Sequence, residues 1–410
     1  MAHALRAHLT QVGLFLACAV ALNAQATTPA MRGEKIVHLS DWATHNGNSR
    51  HTGYVPMITK PANFRVKWTA TLDVSGALNI AATGGGNAYV SDQVYFQTGH
   101  LYALSLADGS VRWSHEYTSE TFGGIPSIHA PGFHNGVAVV STGGHEDAAL
   151  WGYEAASGKQ LYRSQISAQW ETYFAPTPFA NTLYMNGGYY GGAYGFKSRH
   201  GAQSWFTGLD QYDHWTPAVD NDYVYAYTTH LDVLNRHTGA IVKTIDDPGF
   251  EWWGYSVGCA PVLGDQGNVL VTNSHRLVSF DLATNSIKWE QAVEAGYYEL
   301  NQLSLADGAI YYGKGNTVTV RSETDGQLLA TWLTPAGATI ESTVVLTKNL
   351  FFVSTSGGTY AVDRASPTGY KWQIAAHGQL SLSREGVLLI SGADGVVTAV
   401  ELVGAGNADN

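Results

Sequence analysis

Cysteine is nearly absent from this chain of 410 residues. It occurs only twice, as Cys18 and Cys259. A disulfide framework and a cysteine-rich metal cluster are therefore excluded. Charged residues are also scarce, at 13%, so few Lys, Glu and Arg are available to solvate helix faces, and a coiled coil is excluded. Basic residues are outnumbered 22 to 33, and the formal charge of −11 argues against nucleic acid or an anionic membrane surface as a partner. No segment reaches the roughly 18 consecutive apolar residues of a spanning helix. What the sequence does have is 46 glycines and 12% aromatics, a profile of strands and turns.

The first 26 residues read as a cleaved signal peptide. Arg6 precedes the apolar run Val12 to Leu22, and Ala24-Gln25-Ala26 has the small-x-small form of a cleavage site. Cys18 follows Phe15-Leu16-Ala17, a poor lipoprotein box because Phe stands where an aliphatic residue belongs. The mature chain is expected to be secreted or periplasmic, soluble and monomeric. Residues 27–63 read as a lead-in, 64–403 as the folded domain and 404–410 as a disordered tail.

A repeat governs the rest. An apolar strand, a turn with Gly or Asn and a strand often carrying an aromatic four residues later recur at Gly109 with Trp113, Gly158 with Tyr162 and Gly201 with Trp205. The series continues at Gly239, at Asn285 with Trp289, at Gly326 and at Gly369 with Trp372. Successive turns lie 49, 43, 38, 46, 41 and 43 residues apart. A period of about 43 filled with short strands fits four-stranded propeller blades. Val397 to Leu402 reads as a third strand without a fourth, and Phe64 to Trp68 as a fourth strand without the first three, so the chain ends complete one shared blade. The expectation is an all-β single propeller of eight blades, or seven if one repeat is miscounted, with its ring sealed.

The phrases Leu101-Tyr102-Ala103-Leu104 to Trp113, and Asp41-Trp42 to His51-Thr52-Gly53-Tyr54, resemble the PQQ-type propeller repeat. Enzymes, assembly lipoproteins and binding proteins share it, so function must be argued from a site. In such a blade the loop entering the innermost strand and the loop between the second and third strands open on one face. The latter class holds His100, His145, Tyr189, Tyr190, His230, His275 and Arg276. The former holds His129, Trp170, Glu171, Tyr173, Tyr212, His214, Trp215, Trp252, Trp253, Tyr255, Tyr297 and Tyr298. Any one of these histidines can instead tie strands together as a structural hydrogen-bonding residue. As a set they favour blades two to five, which suggests a lopsided pocket. No nucleophile elbow or phosphate loop is visible. Paired carboxylates such as Glu171 and Asp213 leave glycoside hydrolysis open, but His, Tyr and Arg predominate and suit β-elimination next to a carboxylate.

A narrower resemblance rests on Gly143-Gly144-His145-Glu146-Asp147, Gln169-Trp170-Glu171-Thr172-Tyr173, Gly187 to Gly192 and Gln211-Tyr212-Asp213-His214-Trp215-Thr216-Pro217. These stretches resemble the propeller-type ulvan lyases, which act on an anionic, uronate-containing polysaccharide. The resemblance implies that His129 and His145 flank the uronate, that Tyr190 is the acid and also the base, with His129 as alternative base, and that an Arg neutralises the carboxylate. Arg276 is taken for that role because Arg199 falls on the opposite face. Trp170, Tyr173, Tyr189, His214, Trp253, Tyr255 and His275 are expected to bind substrate. No cofactor is required for this chemistry. A structural Ca²⁺ or Zn²⁺ is compatible with it, but no ligand set can be picked out. Two alternatives stay open: a non-catalytic periplasmic scaffold of the outer-membrane assembly type, and a PQQ-dependent dehydrogenase.

Overall fold

The computed structural model describes residues 39–119, 124–144, 147–167, 173–187, 191–252, 254, 256–293 and 302–402. These form eight antiparallel sheets arranged as the blades of a propeller. The first blade shows the plan. Its strands Ala82–Gly84, Asn87–Ser91, Gly99–Ser105 and Val111–Tyr117 pair in chain order. The first three are almost wholly buried, whereas the fourth alternates exposed and buried side chains, as the outer edge of a blade should. Corresponding innermost strands of blades two to seven are Gly132–His134, Thr177–Phe179, Ala218–Val219, Val262–Leu263, Ser304–Ala306 and Val345–Leu346.

The eighth blade closes the ring as expected. Gln379–Leu382, Val387–Ser391 and Val396–Glu401 supply its inner three strands, and Arg65–Thr71 pairs with Val396–Glu401 as the fourth. Among the described residues, blade two alone has its innermost strand in two pieces, Ser127–Ile128 and Gly132–His134, both paired with Val137–Gly143. Pro131 stands between them, and proline has no N–H to continue a ladder.

The recurring turn and aromatic are a device that joins blades. The indole N–H of Trp113 donates to the Ala155 carbonyl of the next blade at 3.0 Å, three residues before Gly158. The ring lies where a Cβ on Gly158, at φ +73°, would stand. Trp68 to Leu106, Tyr162 to Ser198, Trp205 to Arg236 and Trp289 to Glu323 repeat the bond, each to the carbonyl three residues before the turn glycine. In blade four Lys243 Nζ takes the part, donating to Leu282. Burying the ring at each of these five aromatic seams stabilises it by about 1.5–3 kcal/mol.

Candidate functional site

The stretch Asp41 to Tyr54, which falls in the expected lead-in and whose phrases resemble the repeat, forms no blade and runs along the propeller axis. Its backbone carbonyls accept N–H groups from the innermost strands in blade order. Trp42 accepts from Thr83, Ala43 from Phe133, Ser49 from Val219, Arg50 from Leu263, Thr52 from Leu305 and Gly53 from Leu346, at 2.7–3.0 Å. Each donor is the second residue of its strand. In blade three that position is Pro178, which has no N–H, and Thr44 Oγ1 donates instead to the carbonyls of Ala175 and Pro176. The axis is thus filled by the chain itself, and edge groups of seven innermost strands or their approaches are satisfied by it.

Two imidazoles go inside with this segment. His51 is fully buried, its Nδ1 bonded to the Pro261 carbonyl and its Nε2 to Thr177 Oγ1, both at 2.9 Å. His45 bonds through Nε2 to Gln302 Oε1 at 2.8 Å and stacks on Phe174 with centroids 4.0 Å apart. Burial lowers the His45 pKa to about 4, with the Gln302 bond raising it and His214 lowering it further. Burial and then the neighbouring His45 lower that of His51 to about 3. Both are neutral hydrogen-bonding groups at neutral pH.

Sequence reasoning placed neither histidine in a site. A signal was present: residues 41–55 are dense in Asn, His, Thr and Gly and lack the alternation of a strand.

Of the expected site residues, His129 and Tyr173 come into edge-on contact at 4.8 Å. His129 occupies the break in the innermost strand of blade two, its ring held between Ser127 Oγ at 3.0 Å and Ser141 Oγ at 3.1 Å. Its backbone carbonyl accepts from Ser91 of the preceding blade, and it is buried. Both ring nitrogens are therefore engaged by strand hydroxyls, the strand-tying role that a repeated histidine can play. Tyr173 is also buried, and Phe174 beside it bridges His45 to His214, whose ring lies 4.7 Å away. Burial lowers the His214 pKa while Asp213 raises it.

Arg276 belongs to another group. Its guanidinium holds Asp247 Oδ1 at 2.8 Å and Glu290 Oε2 at 2.6 Å. Asp247 has no exposed side-chain surface and also accepts from Tyr227 Oη at 2.8 Å. Burial works against the guanidinium charge, but the bonds to these two carboxylates outweigh it and raise the pKa. The positive charge expected to neutralise a uronate is thus already matched. His275 is exposed at the tip of the adjoining hairpin. His145, Trp170, Tyr189, Tyr190, Trp253 and Tyr255 lie outside the described residues.

Among the described residues no three His, Cys, Asp or Glu side chains converge to hold a metal ion. The axis, where a ring of blades would cradle a flat cofactor, is lined inside by the segment just described. Among the described residues, those on the axis bond to the innermost strands and present no ligand set for a metal that would accompany a quinone.

Fold and axis together define a closed eight-bladed propeller of the PQQ type. The family model described as outer membrane protein assembly factor BamB matches residues 22–127, 59–239, 120–331 and 191–403, and the chain belongs to this family, PQQ_2. No curated protein matches it. Among solved structures, BamB from Moraxella catarrhalis is 15% identical with a TM-score of 0.62, covering 82% of this chain and 99% of that one. A quinohemoprotein alcohol dehydrogenase from Pseudomonas putida is 12% identical with a TM-score of 0.69, covering 90% and 81%. The computationally designed Ika8 protein reaches 0.60 at 14% identity, covering 83% and 100%. Likeness at this level defines the fold alone, since a designed ring matches about as well as an assembly factor or an enzyme.

Proposed function

We propose that this chain is a non-catalytic propeller scaffold of the cell envelope, of the outer-membrane assembly type, which meets its partners through rim loops. The observation that carries this reading is the filled axis. Residues 41–55 bond to the innermost strands of seven blades or their approaches, and His129 and Arg276 on the richer face are held by partners within the protein. An acid-base catalyst needs a group within reach of a substrate proton and free to exchange it. His129 between two serines and Arg276 between two carboxylates are built for rigidity instead. The match of the BamB family model along nearly the whole ring supports the same reading.

The elimination of an ulvan-like uronate polymer, expected from the narrower resemblance, draws its remaining support from His145 and Tyr190. The dehydrogenase reading draws support from the fold alone. The scaffold reading is tested by photo-crosslinking in intact envelopes, with a crosslinking residue placed at exposed His275 or at Trp252. Discrete adducts with the outer-membrane barrel assembly machinery are expected from the rim. Adducts absent from both positions, with the protein present at its normal level, would contradict it.

A further inference from the structure

Among the described residues each blade ends on an outer strand whose far edge pairs with no further strand. Such an edge offers unpaired N–H and C=O groups to any extended chain, and charged side chains or shortness normally guard it. Lys67, Arg112, Arg163, Lys243 and Lys288 each stand in one of these outer strands. Two more are short: Gln203–Thr207 has five residues, most of them polar, and Trp372–Ile374 has three. The last, Leu328–Leu333 of blade six, reads Leu-Leu-Ala-Thr-Trp-Leu and has neither guard.

Its two faces differ. The strand pairs with Thr317–Ser322 through a bulge at Leu329, so Leu328, Leu329, Thr331 and Leu333 share one face and Ala330 and Trp332 the other. Trp332 is buried toward blade seven, its ring 5.9 Å from those of Phe351 and Tyr360. On the other face Leu328, Leu329 and Leu333 are 56%, 58% and 65% exposed. Pro335, which has no N–H, closes the strand two residues later.

A second copy of the same strand is complementary to this edge. A two-fold axis through Thr331 sets two copies antiparallel, the direction used within every blade. Thr331 then faces the partner's Thr331, Leu329 faces the partner's Leu333 on either side, and Ala330 faces the partner's Trp332, small against large. Pairs of this kind are the stabilising unit of a sheet. No charged side chain meets its like, which matters between chains that each carry a formal charge of −11. We propose that the chain forms a two-fold dimer through Leu328–Leu333 of blade six, in place of the monomer expected from the sequence. Such an interface is isologous and closes at two chains. One strand pair is a small contact, so the dimer is weak and forms with rising concentration. It does not rest on the scaffold reading, because the edge lies on the outer wall of the ring, away from the axis.

Sedimentation velocity of the mature protein over a concentration series tests the dimer. The mass should climb from one chain toward two and stop there. Thr331→Lys, at an exposed position, sets two ammonium groups face to face on the axis and should hold the mass at one chain throughout. Val111→Lys, at an exposed position in the outer strand of blade one, should leave the dimer intact. Thr331→Cys should give a covalent dimer on mild oxidation, since facing residues bring their Cβ atoms to about 4.5–5.5 Å and the native Cys259 is buried. A single-chain mass at every concentration with no covalent dimer from Thr331→Cys would overturn the proposal and leave the edge to an extended segment of another protein. A dimer untouched by Thr331→Lys, or growth beyond two chains, would overturn it as well.

Discussion

At the scale of single residues, the buried histidines decide how the molecule responds to acid. His45 and His51 have folded pKa values of about 4 and about 3. Above about pH 6.5 both are neutral folded or unfolded and stability is unaffected. Below it the unfolded chain takes up protons that the folded chain refuses, so stability falls with pH until the folded values are approached. Each histidine costs about 1.4 kcal/mol per pH unit in that window. Thermal unfolding between pH 7 and pH 4 should show this decline, reduced in His51→Gln; a flat midpoint would contradict the buried neutral axis. Arg276 gives a second residue-level test. Arg276→Ala leaves Asp247 buried with its cation gone and should cost about 3 kcal/mol in chemical denaturation. A purely catalytic arginine would leave stability unchanged. The partners were not legible in the sequence. Gln302 lies 257 residues from His45 and Thr177 lies 126 from His51, and Asp247 lies 29 residues from Arg276 across a blade boundary.

At the scale of elements, the seam between blades is where sequence and structure agree most closely. The spacing of turn and aromatic is visible along the chain because most blades present a turn glycine and a Trp or Tyr ring to their neighbour, with Asn285 and Lys243 as departures. Gly158→Ala places a Cβ 2.6 Å from Trp113 and forces a left-handed conformation on a non-glycine residue. It should destabilise by more than about 1–2 kcal/mol, the backbone cost alone. Denaturant unfolding compared with Gly308→Ala, where the space is open but φ is also positive, separates the clash from the backbone. Equal losses would show that the ring does not pack there. The axial role of the lead-in was not legible for a related reason. It meets each innermost strand once, through carbonyls together with the side chains of Thr44, His45 and His51, so no side-chain period marks it.

At the scale of the whole molecule, closure sets the fold's stability. Arg65–Thr71 covers the edge that Val396–Glu401 would otherwise present to solvent. A chain lacking residues 65–71 should lose cooperative unfolding and self-associate, seen as higher-mass species on size exclusion. A monomer with an unchanged melting temperature would show that the shared blade is dispensable. The eight-blade ring and its closure could be read from the repeat, since both ends of the chain carry incomplete copies of one pattern. A filled axis could not, because it depends on how one segment meets seven blades at once. The scaffold reading takes that arrangement, with His45, His51 and His129 bonded within the protein, as an internally bonded support.

Whether that support performs any chemistry is most directly measured by following the absorbance of unsaturated uronate when the purified protein meets ulvan, heparin, alginate and pectin. A non-catalytic scaffold leaves every trace flat, with Tyr190→Phe indistinguishable from the unaltered chain. A rise with any of these polymers that disappears in Tyr190→Phe would contradict the scaffold account and restore the elimination chemistry.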